Sequence, residues 1–141
     1  MKAQDFRIGN LVTSKQWFGA HPIQGIEVLP NRIDFKIKGF IHSLEDGKYF
    51  DLAPIELTED WLKRLGFKKF GRNDLPRTLS YKKDWISVFP ANSFSDFKGY
   101  GFMYYKKEFA GSVESARTVI EYVHQLQNLF HSLTGSELEI K

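Results

Sequence analysis

A chain of 141 residues, 42% hydrophobic and 16% aromatic, is too apolar for disorder and long enough to bury roughly 70% of its unfolded surface. The absence of cysteine excludes disulfides, a thiol nucleophile and Cys-ligated zinc. No run nears the length of a membrane span and MKAQDFRIGN lacks the apolar core of a secretory signal, so a cytoplasmic protein without membrane association is expected.

The net charge of +3 conceals an asymmetry. Residues 61–110 hold 11 Lys/Arg against 4 Asp/Glu, which leaves 9 basic and 13 acidic residues elsewhere. Such a split suggests a basic face for an anionic partner. The plainer reading is a solvated lysine-rich surface.

In chain order, the first half predicts a small β unit. Phe6–Thr13 is largely apolar, a Gly/Pro-bearing loop leads to Ile23–Leu29, and Pro30–Asn31 supplies a turn. Arg32–Lys38 alternates, with Ile33, Phe35 and Ile37 on one face and Arg32, Asp34, Lys36 and Lys38 on the other, as in a half-buried strand. Asp46–Gly47 signals a turn before Lys48–Leu52. These short strands predict a curled sheet or small barrel.

A short helix follows. Thr58 suits the N-cap, Glu59 and Asp60 complement the helix dipole, Leu57 and Leu62 occupy the hydrophobic-staple positions, and Gly66 suits a left-handed stop. Strand-like runs return at Phe67–Phe70, Leu79–Lys82, Trp85–Phe89 and Gly101–Lys106, most of them separated by turn-rich pieces. Arg117–Tyr122 reads as a last strand or as the first turns of the next helix. Val123–Thr134 is helical, with Val123, Leu126, Leu129, Phe130 and Leu133 on one side and Gly135 placed to end it. Leu138 and Ile140 alternate with glutamates as a short terminal strand would.

The expected class is α+β: an N-terminal small curled β-sheet or barrel, a short helix, and a C-terminal antiparallel sheet packed on a C-terminal helix. The division is an N-terminal β unit over residues 1–56 and an α+β unit over 57–141, the two sharing one compact domain.

Three pieces carry a resemblance. They are Phe6-Arg7-Ile8-Gly9-Asn10-Leu11-Val12, then Pro54-Ile55-Glu56-Leu57-Thr58-Glu59-Asp60-Trp61-Leu62 with Leu65-Gly66-Phe67, and Tyr122-Val123-His124-Gln125-Leu126-Gln127-Asn128-Leu129-Phe130 with Leu133-Thr134-Gly135. In these and their order the chain resembles small proteins of a gut-associated bacterial group and of its phages and mobile elements. That family has no assigned activity and no catalytic residues to carry over. The resemblance implies a small soluble α+β protein acting in a bacterial host cell.

Candidate chemistry is sparse. His124 and His131 lie seven apart, about 10 Å along a helix, whereas paired ligands want a spacing of three or four; His21 and His42 stand in loop-like sequence. No metal site or cofactor is expected. The stripe Glu121, His124, Asn128, His131 reads as the polar side of an amphipathic helix. No serine elbow, catalytic triad spacing or Walker loop is present, and Glu59–Asp60 is explained by the helix start. The protein is therefore expected not to be an enzyme.

The sharpest local match is Lys98-Gly99-Tyr100-Gly101-Phe102-Met103-Tyr104-Tyr105. It looks like the octapeptide of RNA-recognition-motif domains, with Met103 in place of the usual Val. In that motif the rings matching Tyr100 and Phe102 stack on bases and Lys98 meets phosphate. Lys48–Leu52 is a poor partner motif for it. More broadly, cations flank aromatic strands, giving a candidate ligand-binding set of Lys68, Lys69, Arg72, Lys82, Lys83, Lys98, Tyr100, Phe102, Tyr104 and Lys106 for an anion that carries a stackable base. The plainer reading is a sheet with one buried aromatic face and one lysine-rich solvent face.

Three functions follow as expectations. The first is a non-enzymatic phage or mobile-element protein that sequesters a host nucleotide immune signal, a counter-defence sponge. The second is a single-stranded RNA or DNA binder using Lys98–Tyr105. The third is a protein that blocks a host nuclease or defence complex. The partner is thus a small anionic nucleotide, a nucleic acid or a host protein; an oligomer is compatible with each.

Overall fold

The structure, a computed structural model, describes residues 5–14, 17–45, 52–72, 74–75, 79–91, 98–105 and 113–141; for 44–45, 103–105 and 113–118 it describes the backbone alone. It is α+β, with eleven strands in three antiparallel sheets and two helices among the described residues. The sheets are open rather than closed into a barrel. The chain forms two compact units, Met1–Ile55 with Val123–Glu137, and Glu56–Tyr122 with Leu138–Lys141. Where the sequence suggested a single boundary at 56/57, the chain crosses between units three times.

The first unit holds two three-stranded sheets. One has the order β2 (Trp17–Pro22), β1 (Leu11–Ser14), β6 (Leu52–Pro54); the other runs β3 (Gly25–Leu29), β4 (Arg32–Ile37), β5 (Phe40–Glu45). Neither β2 nor β5 was expected, so His21 and His42 lie in strands rather than loops; both rings pack edge-on against Trp17. The β4–β5 hairpin closes through Lys38 and Gly39, with φ of 52° and 81°. Positive φ at both central residues is what a two-residue type I′ turn requires. Strand β4 alternates as its sequence demands, with Phe35 and Ile37 buried beside Val12, Ile23 and Leu52. Asp34 departs from that pattern. Expected in solvent, it is buried, with Arg32 Nε 3.2 Å from its Oδ1.

Helix α2 (Val123–Thr134) groups with these strands, where the sequence placed it beside the C-terminal sheet. The Val123 N–H donates to Ile55 C=O at 2.9 Å. Gly135, at φ 72°, ends the helix with its N–H on His131 C=O, the single-bond left-handed stop. The helix buries a different stripe from the one its hydrophobic residues draw: Val123, Leu126 and Phe130 are joined in the interior by His124 and Gln127, while Leu129 and Leu133 are only half-buried.

The second unit has helix α1 (Glu59–Arg64) and one five-stranded sheet in the order β11 (Val113–Ile120), β10 (Tyr100–Tyr105), β9 (Ile86–Pro90), β8 (Ser80–Lys83), β7 (Lys68–Phe70). The helix ends as its sequence predicts. Thr58 Oγ1 accepts from Trp61 N–H, while Gly66 donates to Lys63 C=O and Phe67 to Leu62 C=O, the paired bonds of a Schellman stop. Leu57 and Leu62 are both buried. Residues 117–120 are strand, which settles one alternative. Residues 137–141 form no strand; Leu138 is buried there and the Lys141 N–H donates to Arg64 C=O.

Candidate functional site

Cross-strand register decides which of the candidate residues share a face. Opposed residues in an antiparallel pair point to the same side, and neighbours along a strand to opposite sides. Lys69 faces Tyr81, Tyr81 faces Val88, and Val88 faces Phe102. Lys83 faces Ile86, so it belongs to that side too. Lys68 faces Lys82, and Phe70, two residues on from Lys68, shares their side. The basic set is thereby split between the two faces of the sheet.

Helix α1 covers the first of those faces. Glu59 accepts from Lys69 Nζ at 2.9 and 3.0 Å, from Tyr81 Oη at 2.8 Å and from Lys63 Nζ at 2.8 Å. The donors, Lys63 foremost, then Lys69 and Tyr81, hold the Glu59 carboxyl down to about 2. Burial, and then the bond to Glu59, push the Tyr81 hydroxyl above its ordinary range. Lys83 donates to the Leu65 carbonyl at 2.8 Å, capping α1, and burial followed by the charge of Lys141 lowers its affinity for a proton. Lys69 and Lys83 thus hold α1 to the sheet.

Phe102 is 5% exposed and Tyr100 is half-buried, its ring edge-on to Tyr81 at 6.1 Å. This corrects the RNA-motif expectation for Phe102: the ring that would stack on a base is a core residue, since its row runs through buried Val88 and Tyr81. Gly101, the small residue of that octapeptide, has a packing reason, because a Cβ there would stand 2.5 Å from the Phe89 ring. Arg72 is exposed and makes a two-pronged pair with Asp74 at 3.0 and 2.6 Å. Lys98 is exposed just before β10. The Tyr104 backbone pairs with Ile86 and Glu114, while its side chain and all of Lys106 lie outside the described residues.

The other face of the β7–β8 edge is open. Lys68 and Lys82 are both exposed, and Phe70 is 47% exposed. Lys82 Nζ lies 4.9 Å from the centre of the Phe70 ring, within cation–π range. Among the described residues neither Lys68 nor Lys82 has a carboxylate within ion-pair distance. The patch ends at β9, where Ser87, opposite Lys82, is buried. Two cations beside a half-exposed ring suit an anion that carries a flat group. The sequence reading left Phe70 out of the binding set, although it closes the strand-like run Phe67–Phe70; alternation along β7 puts Lys68 on its side, and the register adds Lys82.

The pieces behind the family resemblance in the first unit make a separate polar cluster. Arg7 to Asn10 is a tight turn, with Gly9 at φ 90°, Asn10 N–H on Arg7 C=O, and Arg7 N–H on Asn10 Oδ1. Asn128 Oδ1 accepts from Asn10 Nδ2 at 2.8 Å and from Arg7 Nε at 2.7 Å; Arg7 also makes a two-pronged pair with Glu137. The Arg7 guanidinium lowers the Glu137 carboxyl. His124 lies against Phe6, ring centres 4.6 Å apart, and burial lowers its proton affinity. Every described partner in this cluster is internal, so its arrangement tethers the N-terminal segment to α2.

Among the described residues no group of three or more His, Asp or Glu is placed to hold a metal ion. No helix there is long and apolar enough to cross a membrane, which says nothing of spanning strands. No protein-family model, curated protein or solved structure matches the chain.

Proposed function

We propose that this chain is a non-enzymatic binding protein that captures a nucleotide-type anion on the open face of β7 and β8. The observation that carries the reading is the placement of Lys68 directly opposite Lys82 with Phe70 on the same side. Like charges opposed across a strand pair cost stability, and a bound anion offsets that cost. A ring beside them provides for a base. The resemblance to proteins of phages and mobile elements gives this chemistry a setting: a counter-defence sponge in the cytoplasm that holds a host nucleotide signal away from its receptor. Lys68, Lys82 and Phe70 are the core of the site.

The test is to purify the protein from cells with active nucleotide signalling, denature it, and identify released small molecules by mass spectrometry. The expected result is one unaltered nucleotide in stoichiometric amount. An altered product would point to an enzyme. An empty protein, with the signal present in the lysate, overturns the sponge and moves the assignment to nucleic acid or to a host protein.

A further inference from the structure

Resting on that binding reading, we infer that the β7–β8 face is built for a single nucleotide unit, its phosphate between Lys68 and Lys82 and its base on the ring of Phe70. Three features of the register lead there. Opposed side chains on an antiparallel pair start about 5 Å apart, so the ammonium groups of Lys68 and Lys82 reach one phosphate together. Residues two apart on a strand are separated by about 7 Å along its axis. Phe70 therefore stands from Lys68 at the distance that separates the base from the phosphate within one nucleotide.

The third feature is the contact between Lys82 and Phe70. The Lys82 ammonium now lies 4.9 Å from the ring centre, where a base would stack. Lys82 is exposed and its four-carbon stem is flexible, so it leaves the ring for the phosphate as the base arrives. One movement then uncovers the stacking surface and completes the anion site. Neither phosphate nor nucleoside alone gains both contacts, and the two parts of a nucleotide bind better joined than apart. Buried Ser87 and the short β7 strand bound the patch, limiting it to one unit.

The experiment is an amide and aromatic NMR titration of the full chain with adenosine 5′-monophosphate, adenosine, inorganic phosphate and a single-stranded oligonucleotide. The monophosphate should shift the amides of Lys68, Phe70 and Lys82 together with the Phe70 ring protons. Phosphate alone should move the lysines more weakly and leave the ring protons in place. Phe70→Leu should weaken monophosphate binding about tenfold with phosphate binding unchanged, and Lys68→Gln should weaken both; the spectrum of each variant reports its folding. Monophosphate shifts elsewhere, with β7 and β8 silent, overturn the site and leave a nucleotide-binding function standing. Equal binding by wild type and Phe70→Leu overturns the stacked base. A response only to single-stranded oligonucleotides overturns the single unit. Silence toward every one of these probes overturns this inference and the nucleotide reading together.

Discussion

Gln127 accepts the backbone N–H of Leu11 on its Oε1 at 2.9 Å and donates its own amide to the Gly9 carbonyl at 3.3 Å. One buried side chain in the middle of α2 thus satisfies the backbone at the entry to β1, on both sides of Asn10. Buried backbone groups need partners, and here a glutamine provides them where a strand would otherwise have to. Gln127→Leu should cost about 2–4 kcal/mol in urea denaturation, because two polar groups lose partners at once. Gln127→Glu keeps the acceptor, loses the donor and adds a buried charge, so it should cost at least as much. Wild-type stability in either variant would show that the contact contributes nothing.

Lys68 opposite Lys82 makes the reverse prediction. Most substitutions destabilise, but Lys68→Gln should raise stability by roughly 0.2–1 kcal/mol by removing a like-charge pair. The gain should shrink in high salt, which already screens the repulsion. Denaturation of both proteins at low and high ionic strength checks this without any ligand. A variant less stable than wild type at low salt would mean that Lys68 has an attractive partner and that the pair is not waiting for an anion.

How far the sequence made this legible depends on how local each signal is. Thr58, Gly66, Leu57 and Leu62 lie in or within two residues of one six-residue helix, and their roles were readable from spacing alone. Alternation in Arg32–Ile37 was equally local, apart from buried Asp34. Strand β5 was missed because Lys38–Gly39 is not among the commonest turn pairs, although its Gly permits the positive φ. In α2, hydrophobic period places His124 and Gln127 outside the buried stripe; their burial follows from hydrogen bonding and ring contact with residues more than a hundred positions away. The candidate site was legible only as composition. Alternation along β7 places Lys68 with Phe70, but which lysine of β8 joins them and which rings lie on the other side are set by the pairing of β7, β8 and β9. That is how Phe102, with its motif-like surroundings, proved to be core, while Phe70 proved to be surface.

The contrast between these two phenylalanines is itself measurable. Phe102→Ala empties a buried position and should cost about 3–5 kcal/mol. Phe70→Ala removes a half-exposed ring at an edge strand and should cost about 1 kcal/mol or less. If binding to single-stranded nucleic acid is lost in Phe102→Ala, circular dichroism and denaturation should attribute the loss to unfolding. A stably folded Phe102→Ala that has lost binding would restore the stacking role the structure removes.

Glu59 sets how the second unit responds to acid. Its carboxyl is held at about 2 against an ordinary value of 4.5 by Lys63, Lys69 and Tyr81. A group with a depressed folded value contributes stability that is fully present above 4.5 and is lost as the pH falls toward 2. The side chain is 35% exposed, so solvent screening reduces the contribution well below the full shift, to about 1 kcal/mol. Glu59→Gln keeps the shape and gives up the charge. Its stability deficit should be constant near neutral pH, narrow through the acid range and vanish near pH 2, where wild-type Glu59 is itself becoming protonated. Lys69→Met should show the same narrowing, since it removes one of the donors that hold the carboxyl down. Denaturation midpoints across that pH range would decide the matter: a deficit that does not change with pH would mean that Glu59 acts through packing and helix capping alone, with no ionic tie between α1 and the sheet.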